Sequence, residues 1–254
     1  MKNKYMLFAG GAALLAFVQR LVDISLHVAP SSGFYDGGSA AVRWSILLLC
    51  AVVCIYLQLR CAAPGFSERR KLPAAGLLFA LCCLFSVSLS AMQAIAEVLL
   101  APSLAVGIVS ALCALAGIFS AWWYYTAAVS CFSKKKEGGD LLPAAVVFWY
   151  CLRALDIFVR EPVNARDSVT ISALFSCVAL AAAYLSLARR KPGFPAAAAL
   201  SLVACVGFAL PCAVWFLREG DTFRAAQLLG DAFGAAALFF VAAAYAQPVR
   251  KENV

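Results

Sequence analysis

A single histidine in 254 residues excludes bis-histidine haem ligation within one chain. The sequence has no H-E-x-x-H, no G-x-S-x-G and no P-loop, so the zinc-protease, α/β-hydrolase and P-loop chemistries have no carrier. It has no clustered aspartates of a metal-dependent transferase. No nucleophile stands with a base beside it, so no enzymatic activity is assigned and no metal or cofactor is implied. Charged residues make up only 13% of the chain, and the longest polar stretch, 131–140, has the size of a loop. That leaves no separate soluble domain. The eleven cysteines all fall in or at the edge of apolar runs, which gives a disulfide framework no basis. Cys50 and Cys54 share a helix face without a histidine or acid beside them, and read as small packing residues.

Apolar sequence is what the chain has in excess. Hydrophobic residues make up 64% and the mean hydropathy is +0.88, against ~45–50% apolar in soluble domains. The excess lies in long runs such as 41–59 and 173–188. Runs of this length cross a hydrocarbon core of ~30 Å as helices, whereas a β-barrel would show short alternating segments. The expectation is an all-α, polytopic membrane helix bundle of about eight transmembrane helices. They are placed near 5–29, 41–62, 73–98, 103–131, 142–161, 168–189, 195–217 and 223–247. Lys2 and Lys4 before an apolar stretch resemble a signal peptide, but the run is longer than the usual ~7–15 residues and meets Arg20 and Asp23, which favours a first span.

The net charge of +8 is distributed in a way that rejects a nucleic-acid partner. Fourteen Lys and Arg fall on one side of the spans, at the amino terminus and in the clusters 60–71, 134–136, 189–191 and 250–251. The other side has five: Arg43, Arg160, Arg166, Arg218 and Arg224. Positive residues stay on the cytoplasmic side. Both termini are therefore expected in the cytoplasm, with the chain integral to a bacterial-type cytoplasmic membrane and the lipid bilayer as its first partner. Trp122, Trp123, Tyr124 and Tyr125 are expected as inner interface anchors, and Trp44 and Trp215 as outer ones.

Three matches recur in order. Arg20-Leu-Val-Asp23-Ile24 corresponds to Arg153-Ala-Leu-Asp156-Ile157, and these two spans end at Pro30 and Pro162. Tyr56-Leu57-Gln-Leu59 before Pro64-Gly65-Phe66 corresponds to Tyr184-Leu185-Ser-Leu187 before Pro192-Gly193-Phe194. Pro73-Ala-Ala corresponds to Pro195-Ala-Ala. The expected organisation is two parallel four-helix repeats, 1–133 and 141–254, joined by a basic cytoplasmic linker at 134–140.

Charges inside spans carry the functional signal. Arg20, Asp23 and His27 form one helical stripe, and Arg153, Asp156 and Arg160 form its counterpart. Glu97 and Asp231 are expected at the same level, in the outer half of the bilayer, and Asp231 lies between Gly230 and Gly234, which permit close approach to a stripe. Two readings follow. In one, these eight residues line an outward-facing pocket whose arginines meet a small anionic or zwitterionic ligand, and the chain is a transporter or its membrane-embedded binding subunit. In the other, the Arg–Asp pairs neutralise themselves or each other and serve packing, in a non-transporting sensor, immunity protein or assembly partner of another protein. His27 is a pH-responsive group in the first reading and an interfacial polar residue in the second. Pro211 is expected to kink its span.

Overall fold

The computed structural model describes residues 2–28, 36–62, 71–98, 104–133, 141–160, 168–189 and 191–248. The linker at 134–140, Pro30, Pro162 and the first Pro-Gly-Phe loop lie outside the described residues, as do the side chains of Glu97 and Arg160. The fold is all-α. Its helices are α1 (Lys2–Leu26), α2 (Ala40–Arg60), α3 (Pro73–Met92), α4 (Leu104–Ser133), α5 (Leu141–Arg160), α6 (Ser168–Ala188), α7 (Phe194–Leu202), α8 (Leu210–Arg218) and α9 (Thr222–Tyr245). A π-helical turn, Gln93–Val98, prolongs α3, and another, Val203–Ala209, joins α7 to α8 in one rod. Two-residue strands, β1 (Cys61–Ala62) and β2 (Gln247–Pro248), pair antiparallel where α2 and α9 end.

Seven of these rods are long and apolar enough to cross a membrane: Lys2–Leu26, Ala40–Arg60, Pro73–Ile95, Val106–Ser133, Val169–Ala188, Phe194–Arg218 and Thr222–Tyr245. Helix α5 is not among the seven; it packs between α4 and α6. The surface is apolar to a degree that water would not tolerate. Leu7, Leu26, Leu48, Trp44, Leu104, Ile118 and Phe158 are all well exposed, with Leu104 at 82%. Contiguous apolar surface on that scale belongs against lipid. The protein is an integral membrane protein.

Local sequence explains where the rods start and bend. Proline opens α3, α7 and α8, where its missing N–H is not needed. Ser39 caps α2 by accepting from the Val42 N–H at 3.4 Å, and Asp221 caps α9 by accepting from Arg224 N at 2.9 Å. Gly220, at φ +80°, closes α8. Its N–H donates to Leu217 O at 3.3 Å and that of Asp221 to Phe216 O at 2.8 Å, the paired bonds of a Schellman turn. Pro211 cannot donate to the carbonyl four residues before it, and the rod answers with a wider turn: Leu210 N–H reaches back to Cys205 O. The expected disturbance at Pro211 thus takes the form of a π segment.

Contacts at the helix ends sort into two faces. On one, Tyr5 Oη donates to Pro195 O at 2.9 Å, β1 meets β2, and Leu72 N–H donates to Cys131 O at 3.1 Å. On the other lie the charged residues described below. Between them sits an aromatic core. Tyr150 stacks on Tyr184 with centroids 5.9 Å apart, and Trp123 meets Phe79 and Tyr184 edge-on. Trp123 and Tyr124 are therefore core residues and not interface anchors; Trp122 and Tyr125, on the opposite side of α4, are exposed. Four consecutive aromatics on a helix cannot all face one environment, because successive side chains are ~100° apart.

Candidate functional site

Arg153 and Asp231 are buried charges that meet across two helices. Helix α5 presents Arg153 and α9 presents Asp231, with side chains only 5% and 1% exposed. The guanidinium fork takes both carboxylate oxygens, Nη1 to Oδ1 at 2.5 Å and Nη2 to Oδ2 at 3.1 Å. Ser176 of α6 donates to Oδ2 at 3.4 Å. The cation lies 5.2 Å from the Trp149 ring centroid and 5.4 Å from that of Tyr150. Gly230 and Gly234 let other side chains approach α9 here. A Cβ on Gly230 would meet Phe85 Cβ at 3.3 Å, and one on Gly234 would meet Tyr184 Oη at 3.2 Å and Tyr150 Oη at 3.5 Å.

The first stripe is arranged differently. Asp23 is held by Arg43 of α2, with Nε to Oδ2 at 3.0 Å and Nη2 to Oδ1 at 3.4 Å, and by Gln19 one turn back. Arg20 turns away and donates to Ser172 Oγ at 3.3 Å and Cys212 Sγ at 3.5 Å. His27, half-buried, packs on the Gly37–Gly38 turn, where Gly38 has φ +77° and a Cβ would come within 2.7 Å of the imidazole. The bidentate partner of Asp23 is thus Arg43 of α2, and that of Arg153 is Asp231 of α9. Gln19 reaches Asp23 as an i,i+4 neighbour on one helix face.

Two cavities flank Arg153. The larger, about 50 Å³, is lined by Arg153, Asp156, Thr170, Arg224 and Gln227 with apolar walls from Ile157, Ala173, Phe216, Phe223 and Leu228. It has room for a few waters, at ~10–15 Å³ each. The smaller, about 10 Å³, lies between Arg153, Asp231, Ser86, Tyr124 and Tyr150. Tyr124 and Tyr150 share a hydrogen bond at 3.2 Å, and the aromatic core closes the path beyond them. Among the described residues, Arg153 Nε, Ser90 Oγ, Gln93 Nε2 and Tyr184 Oη are buried without a hydrogen-bond partner. Arg224 guards the larger cavity, 3.2 Å from Asp221 and 5.5 Å from the Phe216 ring centroid.

Of the eight residues expected at one site, Arg153, Asp156 and Asp231 meet around these cavities. Arg20, Asp23 and His27 form a neighbouring group on the α1 side, and Glu97 and Arg160 fall among the side chains outside the description. Arg43, Ser176, Thr170, Arg224 and Gln227 were not anticipated. One signal pointed to Gln227: it precedes Asp231 by four residues, as Gln19 precedes Asp23. Arg43 gave none, because an arginine at the start of a span reads as a topology marker.

Set against known protein families, characterised proteins and solved structures, the chain has no significant match.

Proposed function

We propose that this chain is a transporter, or the membrane-embedded binding subunit of one, for a small anionic or zwitterionic solute that enters an outward-facing charged pocket. The observation that carries the reading is the larger cavity: two arginines, an acid, an amide and a hydroxyl converge on a space sized for small polar groups. A buried arginine, Arg153, and a part-exposed one, Arg224, beside an open space are suited to carboxylate recognition. In this reading α5 is the eighth span, both termini lie in the cytoplasm, and the cavity lies in the outer half of the bilayer. The sorting of helix-end contacts into two faces supports an even number of crossings, because α1 and α7 begin, and α2 and α9 end, on the same one. The internal matches in the sequence support a four-helix duplication whose copies have diverged: Tyr184 is buried while its counterpart Tyr56 is exposed.

The topology has a direct check. With native cysteines removed, Asp36→Cys should label from outside intact cells with an impermeant thiol reagent. Lys136→Cys should label only after permeabilisation; external labelling there would overturn the orientation.

A second reading rests on the bidentate Arg153–Asp231 pair, which occupies the fork and fits a purely structural role in a non-transporting sensor or assembly partner. Lysine keeps the charge of Arg153 but loses the planar fork. In lipid vesicles, an Arg153→Lys protein that remains folded should bind small carboxylates about tenfold more weakly than the wild type. Equal binding by the two proteins would remove Arg153 from the pocket and favour the second reading.

A further inference from the structure

Resting on the pocket reading above, we propose that a small anion and a proton bind together at this site: the anion takes the Arg153 guanidinium from Asp231, and the released carboxylate takes the proton. The site begins as a neutral Arg⁺·Asp⁻ pair. An anion and a proton arrive, and the result is Arg⁺·anion⁻ beside a neutral carboxylic acid. The net charge in the bundle is unchanged.

Geometry makes this exchange specific to the pair. Arg153 lines both cavities, so an anion in the larger one reaches the guanidinium without crossing Asp231, and its Nε–H has no acceptor among the described residues. Arg224 adds a second cation to the wall of that cavity, and Asp156 adds a carboxylate, the other acidic group an incoming anion and proton would meet there. Among the described residues the hydrogen bonds to Asp231 come from Arg153 and, at 3.4 Å, from Ser176, whose hydroxyl also lies 2.7 Å from Ala173 O. Once Arg153 turns to a solute, the buried carboxylate loses its bidentate partner and keeps the distant Ser176 hydroxyl, a setting in which an uncompensated charge is costly. The other titratable groups facing Asp231 cannot replace Arg153. They are Cys82 of α3, Tyr124 of α4, Tyr150 of α5, Cys177 and Tyr184 of α6, and Cys205 of the π segment, none of them cationic. Arg20 of α1 bonds toward Ser172 and Cys212, and Tyr5 meets α9 at Phe239. On α9 itself, Arg224 pairs with Asp221.

The test uses acetate as the probe on full-length protein in lipid nanodiscs, by titration calorimetry at several pH values. Wild-type affinity should rise about tenfold per unit fall between about pH 8 and about pH 6, with one proton taken up per acetate bound in weakly buffered solution. In Asp231→Asn the competing carboxylate is gone and Arg153 lacks a counterion. Acetate should then bind with a pH-independent affinity and raise the melting temperature more than in the wild type. Acetate binding by the wild type that does not vary with pH would overturn the coupling and leave the anion pocket standing. Persistence of the slope in a folded Asp231→Asn protein would also overturn it, by assigning the proton elsewhere. Failure of both proteins to bind acetate would overturn the pocket and the coupling with it. If the Asn variant does not fold, Asp156→Asn decides the matter: the slope should persist in it, and loss of the slope there would overturn the assignment to Asp231.

Discussion

Asp231→Ala should lower the stability of the folded protein by about 3–5 kcal/mol, read from thermal unfolding in lipid nanodiscs. The loss is this large because Arg153 is left behind, buried against Trp149 and Tyr150 with its charge intact. A guanidinium does not deprotonate in proteins. Arg153→Met should also be destabilising, because it strands Asp231 without its bidentate partner. The double variant Arg153→Met, Asp231→Ala should recover much of the loss, since an apolar replacement of a buried pair is often close to neutral. If Asp231→Ala unfolds together with the wild type, the pair is hydrated and its burial contributes nothing.

A comparably large effect is expected where no charge is present. Gly207→Val should destabilise the bundle by about 3 kcal/mol or more. Gly207 lies in the π segment, against the small-residue face of α1 formed by Ala9, Ala12, Ala13 and Ala16. A Cβ at this position would come within 2.8 Å of Ala16 Cβ and 3.2 Å of the Ala13 carbonyl oxygen. Neither atom can swing away, since one is a methyl fixed to its backbone and the other is backbone itself. Helices in lipid associate through close packing of small residues of this kind. Gly10→Ala is the matched control: nothing lies within 4 Å of its added carbon, and its melting should stay near that of the wild type.

The helical class and most span boundaries were legible because apolar length is a one-dimensional signal. The helices around 41–62 and 73–98 differ from Ala40–Arg60 and the Pro73–Val98 rod by a residue or two. The partners of the charges were less legible. Arg20-x-x-Asp23 suggests a pair by proximity, while Gln19 and Arg43, which also bond Asp23, gave no such signal in the sequence. Matching motifs also concealed different surroundings. Arg153 and Arg20 occupy equivalent sequence positions, but Arg153 grips Asp231 of α9 while Arg20 donates to Ser172 of α6 and Cys212 of α8. The aromatic run at 122–125 showed the limit of composition: it marks a membrane protein, while the helical phase decides that Trp123 and Tyr124 belong to the core.

Helix α2 has a peculiar attachment. Cys50 and Leu57 are its only buried residues, and most of its large side chains point outward. It rests on α1 and α7 along a narrow strip, fastened near one end by the Arg43–Asp23 pair and at the other by the β1–β2 bridge to the end of α9. Mechanically it is a beam pinned at both ends and loaded along its length by acyl chains. Its neighbours are therefore mostly lipid molecules, whereas those of α9 are mostly protein. Stripping the lipid removes the greater part of what surrounds α2 while leaving the core of the bundle in place, so bilayer thickness and composition act on this helix before any other.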